Sequence, residues 1–253
     1  MKIAIVTGAS SGMGREFARQ LPYFYKNLDE IWVIARRGDK LAELGCEGVL
    51  PYRTFQEDLL KDEIYQKLQE ALKEDQPDIR MLVNAAGFGK MGPVKEIAYR
   101  QPGTQEEMID LNCRALTKMT ILCLPYLKLG SRIINLASAA AFCPQPSFAV
   151  YAATKSYVLS FSRALNAELK KQGIYVTAVC PGPVDTEFFE VSGRLPNMWK
   201  DAAMVKPQDV VKKALLDSRK KKEVSVYGAM IKGARLGAKM LPHRAVIEFI
   251  YRH

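Results

Sequence analysis

The sequence contains no long hydrophobic segment. Its opening, MKIAIVTGAS, has only four consecutive apolar residues before Thr7, and nowhere do the roughly 18 apolar residues of a membrane-spanning helix occur together. Neither a secretory signal peptide nor a transmembrane helix is therefore expected. We expect a soluble, cytoplasmic protein.

Cysteine and histidine are also scarce, which argues against a disulfide framework and against a metal centre. The five cysteines are odd in number and scattered, and no two of them form a CxxC pair. Only His243 and His253 are available to help them bind a metal. We expect reduced thiols in the core and no metal site.

Acidic residues are few near the end of the chain. Residues 212–253 contain eleven Lys and Arg but only three acids, and the whole chain has a formal net charge of +10. The spacing predicts a helix at 230–241 with Lys232, Arg235 and Lys239 on one face. This face is either simply solvated or contacts a membrane surface, an anionic amphipathic substrate or another subunit. No nucleic-acid recognition module is apparent, so no nucleic-acid partner is expected.

The sequence does contain a regular alternation of strand-like and helix-like segments. Short β-branched runs occur at 3–7, 31–35, 49–52, 79–84, 132–137, 175–179 and 223–227. Between them, apolar positions with helical spacing occur at 13–21, 61–74, 105–127, 150–171 and 207–218. The alternation predicts an α/β, doubly wound Rossmann fold with a parallel sheet of seven strands, in a single domain that spans residues 1–253.

A glycine-rich loop follows the first strand directly. The stretch TGASSGMG supplies the predicted cofactor contacts Gly8, Ser10, Ser11, Gly12, Met13 and Gly14. Glycines at such a turn permit positive φ and let backbone N–H groups approach a pyrophosphate at the positive end of a helix. The loop predicts a dinucleotide site, and a tight turn capped by Ser10 or Ser11 is the alternative.

The second strand ends without the carboxylate that NAD-preferring dinucleotide folds usually offer to the adenosine ribose. Arg36 and Arg37 follow Ala35 instead. Two guanidinium groups suit a 2′-phosphate, because arginine makes bidentate charge-assisted hydrogen bonds to phosphate. The sequence therefore predicts NADP(H) as the cofactor.

Further motifs follow the glycine-rich loop along the chain. They are Asp58-Leu59, NAAG at 84–87, Asn112, Ser138, YAATK at 151–155 and PGPVDT at 181–186. In this order, and over nearly the whole chain, they resemble the short-chain dehydrogenase/reductase family. The resemblance implies a cofactor site that includes Asp58, Leu59, Asn84, Ala85, Ala86, Gly87, Tyr151, Lys155, Pro181, Gly182, Val184 and Thr186. Asp58 would meet the adenine amino group, and Val184 and Thr186 would hold the nicotinamide carboxamide.

The same resemblance implies four catalytic residues: Asn112, Ser138, Tyr151 and Lys155. Tyr151 and Lys155 are four residues apart on a predicted helix, so the phenol and the ammonium share one face. The ammonium is expected to lower the pKa of the phenol, which suits Tyr151 as the acid in ketone reduction and the base in alcohol oxidation. Ser138 would hold the substrate oxygen, Lys155 would also bind the nicotinamide ribose, and Asn112 would fix a water linking Lys155 to solvent.

Aromatic side chains near these motifs indicate an apolar ketone or alcohol as substrate, either steroid-like or with an acyl chain. The candidate lining residues are Phe88, Phe142, Phe188 and Trp199. Residues 187–204 are predicted to form a mobile lid, with a static surface helix as the alternative, and residues 228–253 a basic extension. Family members commonly pair their long helices, which implies a homodimer or homotetramer. The alternative function is a catalytically silent dinucleotide-binding sensor or scaffold, against which the intact catalytic set argues.

Overall fold

Seven parallel strands form one sheet in the order β3-β2-β1-β4-β5-β6-β7. In the computed structural model, which describes residues 1–193 and 204–252, the strands are β1 (Lys2–Thr7), β2 (Glu30–Ala35), β3 (Tyr52–Gln56), β4 (Asp78–Asn84), β5 (Leu127–Leu136), β6 (Tyr175–Val179) and β7 (Val224–Ser225). The order reverses between β1 and β4, where the first strand lies in the middle of the sheet. In open parallel sheets this switch point forms a ligand-binding crevice at the carboxyl ends of the strands.

Helices connect the strands and cover both faces of the sheet. They are α1 (Gly12–Phe24), α2 (Gly38–Glu47), α3 (Glu63–Asp75), α4 (Val94–Arg100), α5 (Thr104–Ile109), α6 (Leu116–Cys123), α7 (Ala149–Leu169), α8 (Phe188–Ser192), α9 (Pro207–Arg219), α10 (Ala229–Met240) and α11 (His243–Arg252). A π-helical segment, Asp110–Ala115, joins α5 to α6, and a 3-10 turn at Ala139–Phe142 follows β5.

The alternation of side chains along β1 shows how the two faces are buried. Ala4 and Val6 pack into a core that includes residues of α1 and α9, whereas Ile3 and Ile5 pack into a second core with residues of α3 and α7. Trp32 of β2 is fully buried in the second core, where its ring lies 5.5 Å from that of Phe55. Burial on both faces explains why these strands are almost entirely apolar.

The predicted doubly wound fold is confirmed, but one predicted strand lies at a different position and one predicted helix is irregular. The third strand lies at Tyr52–Gln56 rather than 49–52, because Val49 is exposed and the chain pairs with β2 only from Tyr52 onwards. The helix predicted at 105–127 is found at 104–126, but it is not a regular α-helix. It is interrupted by the π-helical segment, and a 3-10 turn that contains Pro125 ends it before β5 begins at Leu127.

The basic region forms the helices α10 and α11 after the short strand β7. The helix predicted at 230–241 is confirmed as Ala229–Met240, and no residue of it is completely buried. No helix within residues 1–193 and 204–252 is long and apolar enough to cross a membrane.

Candidate active site

The glycine-rich loop lies at the carboxyl end of β1 and leads directly into α1, which begins at Gly12. Gly8 has a φ of 69°, and a Cβ added there would lie 2.8 Å from the Ala86 Cα. Only glycine satisfies both the left-handed backbone and this close approach. Ser11 precedes α1 without a capping hydrogen bond from its side chain, so the loop is not explained by Ser11 capping. The observed cradle fits a dinucleotide pyrophosphate at the helix terminus.

Thr7 fixes the NAAG turn against this loop. Its Oγ1 accepts hydrogen bonds from the backbone N–H groups of Ala85 and Ala86, at 3.1 and 3.2 Å. The Asn84 carboxamide faces the core instead, where it donates to Thr120 Oγ1 and Asn135 Oδ1. The turn from Ala85 to Gly87 is therefore held beside the glycine-rich loop, and Asn84 anchors it to the sheet.

The two arginines after β2 differ in their contacts. The Arg37 guanidinium donates from Nε and Nη2 to Ser10 Oγ, at 3.4 and 3.3 Å, and its Nη1 lies 2.8 Å from Glu187 Oε2. Arg36 is exposed. Arg37 and Ser10 thus form a polar corner beside the loop, with donors suited to a phosphate.

The next cofactor candidates form a local turn after β3. Asp58 Oδ1 accepts a hydrogen bond from the Leu60 backbone N–H at 3.0 Å, and Leu59 is buried. The carboxylate therefore holds its own turn in the described structure.

Tyr151 and Lys155 lie one turn apart at the start of α7, as their spacing predicts. Lys155 Nζ is 5.6 Å from the centre of the Tyr151 ring and donates to the Leu136 carbonyl at 2.8 Å. Ser138, after the end of β5, lies close enough to the phenol to lower the pKa of Tyr151, and its Oγ accepts a hydrogen bond from the Ala140 backbone N–H at 3.1 Å. The structure brings these three predicted catalytic side chains together.

Asn112 lies in the π-helical segment and is almost completely buried. Its Nδ2 donates to the Phe88 carbonyl and to Thr154 Oγ1, and its Oδ1 accepts from the Phe88 backbone N–H. A Cβ added to Gly87 would lie 2.6 Å from Asn112 Oδ1 and 3.5 Å from Lys155 Nζ. One amide hydrogen thus holds the loop that faces Lys155, and the other is donated to Thr154 on α7.

Aromatic rings enclose Tyr151. The Phe148 ring stacks on the phenol at 4.2 Å, the Phe188 ring lies 5.5 Å away, and Phe88 packs in the same cluster. Phe142 lies instead near α10, where the Arg235 guanidinium is 6.0 Å from its ring centre. Trp199 lies outside the described residues.

The PGPVDT loop follows β6 and crosses the same end of the sheet. The Pro181 carbonyl accepts from the Ala139 backbone N–H, and Gly182 lies against the Ile231 side chain of α10. Val184 is buried and pairs with Val205, and the Thr186 side chain lies beside Gly12. Within the predicted lid, α8 is tied to the loop after NAAG, because the Met91 N–H donates to the Ser192 carbonyl at 2.8 Å. Residues 194–203 of that segment lie outside the described structure.

Comparison with known proteins identifies the family of this chain. A family model described as short chain dehydrogenase matches residues 2–194. The chain belongs to the short-chain dehydrogenase/reductase family.

Relatives and solved structures agree with this assignment. The chain is 32% identical over 225 residues to a very-long-chain 3-oxoacyl-CoA reductase of Rattus norvegicus. The alignment covers 85% of this chain and 69% of the relative. A short-chain dehydrogenase from Sphingobium yanoikuyae in complex with NADPH superposes with a TM-score of 0.76, at 26% identity over 96% of this chain and 97% of that one. A 3-ketoacyl-(acyl-carrier-protein) reductase from Brucella melitensis complexed with NADH has the same fold, with a TM-score of 0.76. The two are 24% identical over 89% of this chain and 95% of that one.

Burial controls the proton affinities in this short-chain dehydrogenase. It raises the pKa of Tyr151 to about 12, although the nearby Ser138 side chain lowers it in part. Burial also lowers the pKa of Lys155 to about 8. The expectation that Lys155 lowers the pKa of Tyr151 is wrong, because the loss of hydration on burial raises the pKa of the phenol.

Four residues of the dehydrogenase were not identified from its sequence. Thr7 holds the NAAG turn, Thr154 and Phe148 support Asn112 and Tyr151, and Glu187 pairs with Arg37. The available signals were that Thr7 begins the glycine-rich motif, that Thr154 lies within YAATK, and that Phe148 precedes Tyr151 by one helical turn. For Glu187 the sequence gave no signal.

Proposed function

We propose that the protein is an NADP(H)-dependent oxidoreductase that interconverts an apolar ketone and a secondary alcohol. The observation that carries the proposal is the grouping of the buried Tyr151 and Lys155 with Ser138 at the carboxyl end of the sheet, where the dinucleotide cradle also lies. A nicotinamide cofactor, when bound, supplies or accepts the hydride. The protein's own residues have to orient the carbonyl and move the proton.

Tyr151 supplies the proton to the carbonyl oxygen in reduction. Its high pKa keeps the phenol protonated at neutral pH, so the proton is available whenever a ketone arrives. Ser138 Oγ is beside the phenol and provides a second hydroxyl to hold the same substrate oxygen. Lys155, fixed by the Leu136 carbonyl, supports the phenolate that remains after the proton has been transferred.

The preference for NADP(H) rests on the corner formed by Arg37 and Ser10. The Nε and Nη2 atoms of Arg37 form the two-donor edge that matches a phosphate, and this edge is directed at Ser10 Oγ. One of the two cofactor complexes described above contains NADPH and the other NADH, so the choice rests on Arg37 and Ser10. An acidic residue at the same strand end would favour NAD instead.

The substrate is proposed to combine an acyl or steroid-like apolar body with a negatively charged group. Phe148 and Phe188 provide an apolar wall beside Tyr151. Helix α10 lies over the neighbouring loops, with Arg235 above Phe142 and no acidic residue between Glu223 and Glu248. The activity named for the rat relative, reduction of very-long-chain 3-oxoacyl-CoA, fits an acyl chain that carries an anionic group.

The first test is NADPH oxidation with oxo fatty acids of increasing chain length and with their neutral methyl esters. We expect turnover with the longer compounds and a lower KM for the acids than for the esters. Replacing Arg235 by Gln should raise the KM for the acids about two- to fivefold, as expected for one partly exposed ionic contact, and leave the esters unchanged. Arg244→Gln is the control, because Arg244 is an exposed cation paired with Glu248 on α11. An equal effect of Arg235→Gln on acids and esters would refute the charged subsite, and absence of turnover with every ketone would refute the enzyme assignment.

The pH dependence of kcat/KM for NADPH should reveal the titration of Lys155. Burial lowers the pKa of Lys155 to about 8, so its charge is fully present at low pH and is lost as the pH rises through this value. We expect kcat/KM for NADPH, which reports on the free enzyme, to be level at acidic pH and to fall above about pH 8. Tyr151, with a pKa of about 12, stays protonated over this range. In a Lys155→Arg variant, any remaining activity should lack this decrease, and a decrease at the same pH would assign it to another group.

A further inference from the structure

One ion pair joins two loops that approach the dinucleotide cradle from opposite sides. Arg37 follows β2, and Glu187 comes just before α8, 150 residues later along the chain. In the sheet, β2 lies on one side of β1, and β6, which leads to Glu187, lies on the other. The contact between Arg37 Nη1 and Glu187 Oε2 at 2.8 Å therefore crosses the carboxyl end of β1, where the glycine-rich loop is located.

Arg37 contacts the glycine-rich loop directly, and Glu187 is next in sequence to a residue that lies beside it. Arg37 contacts Ser10 through Nε and Nη2, and Thr186, the neighbour of Glu187, lies beside Gly12. Arg37 uses separate nitrogens for Ser10 and for Glu187, so a phosphate can occupy the Ser10 side of the guanidinium while the bridge stays closed. The bridge and the 2′-phosphate corner are thus compatible.

The bridge is also connected to the substrate side of the site. Phe188, the residue after Glu187, lies 5.5 Å from the Tyr151 ring, and the end of α8 is fixed through Ser192 to Met91. A carboxylate near the path of a pyrophosphate is unfavourable unless a cation neutralises it, and Arg37 does so here. The ion pair therefore allows an acid to be located over a site for an anionic ligand.

We propose that Arg37 and Glu187 form a strap that closes over the bound dinucleotide and slows its release. The proposal rests on the proposed function, because it requires a dinucleotide in the cradle. The strap opens to admit the cofactor and closes above the pyrophosphate, with Arg37 on the adenosine side and Glu187 on the nicotinamide side. Glu187 is a retaining residue in this scheme and takes no part in hydride or proton transfer.

The test is the dissociation rate of each cofactor, measured by stopped-flow displacement of bound NADPH or NADH while following nicotinamide fluorescence. Glu187→Gln keeps the size of the side chain and removes its charge. We expect the dissociation rates of NADPH and NADH to rise by the same factor, about two- to fivefold, as for the loss of an exposed ion pair. The matched control is Glu190→Gln, which removes an acid of the same type from α8.

A double-mutant cycle with NADH isolates the contact from the 2′-phosphate. If the strap exists, Arg37→Met and Glu187→Gln should each speed NADH release, and the double variant should release NADH no faster than either single variant. Unchanged dissociation of both cofactors in Glu187→Gln would overturn the strap. A selective tightening of NADPH would also overturn it and would show that Glu187 competes with the 2′-phosphate. The proposed cofactor is tested separately, by the wild-type preference between NADPH and NADH. The NADH release rates in the double-mutant cycle test the strap whichever cofactor the protein prefers.

Discussion

Replacing Tyr151 by Phe should lower the rate of ketone reduction by about a hundred- to ten-thousandfold, the usual contribution of general acid catalysis. The substitution removes the phenolic proton and keeps the ring that stacks on Phe148 at 4.2 Å. NADPH affinity should stay nearly unchanged, because Lys155 remains held by the Leu136 carbonyl. The measurements are kcat/KM for the ketone and the Kd for NADPH from nicotinamide fluorescence.

Helix α7 offers a matched control for this substitution. Tyr157 is on the same helix, and its hydroxyl pairs with Thr117 Oγ1 at 2.8 Å on the exposed surface. Tyr157→Phe should therefore retain normal turnover. Near-normal rates in Tyr151→Phe would disprove the assignment of Tyr151 as the acid and would assign the proton transfer to another group.

Neutralising the arginines after β2 should weaken NADPH binding about ten- to a hundredfold, because a lost charge-assisted contact costs about 1.5 to 3 kcal/mol. Both arginines are exposed, but most of the effect should come from Arg37→Gln, since Arg37 contacts Ser10 of the glycine-rich loop. NADH has no 2′-phosphate, so the affinity for NADH should fall only by the small contribution of the strap. Titration of each variant with both cofactors measures the difference.

The control for the arginine variants is Arg163→Gln on α7. Arg163 is an exposed arginine paired with Glu223, remote in sequence and fold from the end of β2. The Arg163→Gln variant should bind NADPH and NADH with unchanged affinity. If the wild-type protein binds NADH and NADPH equally well, Arg37 does not read a 2′-phosphate and the cofactor proposal fails.

The part of the site that could be predicted from the sequence is the part encoded by local spacing. The four-residue interval between Tyr151 and Lys155 fixes their common face on any helix, and the glycines after β1 require a turn wherever the fold puts them. The parallel sheet was equally predictable, since strands such as β1 and β2 are buried on both faces and consist almost wholly of apolar residues.

The part that could not be predicted depends on contacts between distant segments or on irregular backbone. Thr7 meets Ala85 and Ala86 only because β1 and β4 are neighbours in the sheet, and Glu187 meets Arg37 across the whole crevice. The π-helical segment around Asn112 is invisible to a search for helical spacing, which treats α5 and α6 as one regular helix. The sign of the Tyr151 pKa shift was missed for a related reason, since burial cannot be judged from neighbours in the sequence.

The environment of Trp32 has a spectroscopic consequence. The sequence has two tryptophans, and the other one, Trp199, belongs to the segment predicted as a lid. In a Trp199→Phe variant, tryptophan emission would come only from Trp32, whose ring lies beside Phe55 and 4.8 Å from the Arg53 guanidinium. That emission would act as an optical reporter of β2 and its pairing with β3, and the difference from the wild-type spectrum would isolate the light emitted by Trp199 as ligands bind.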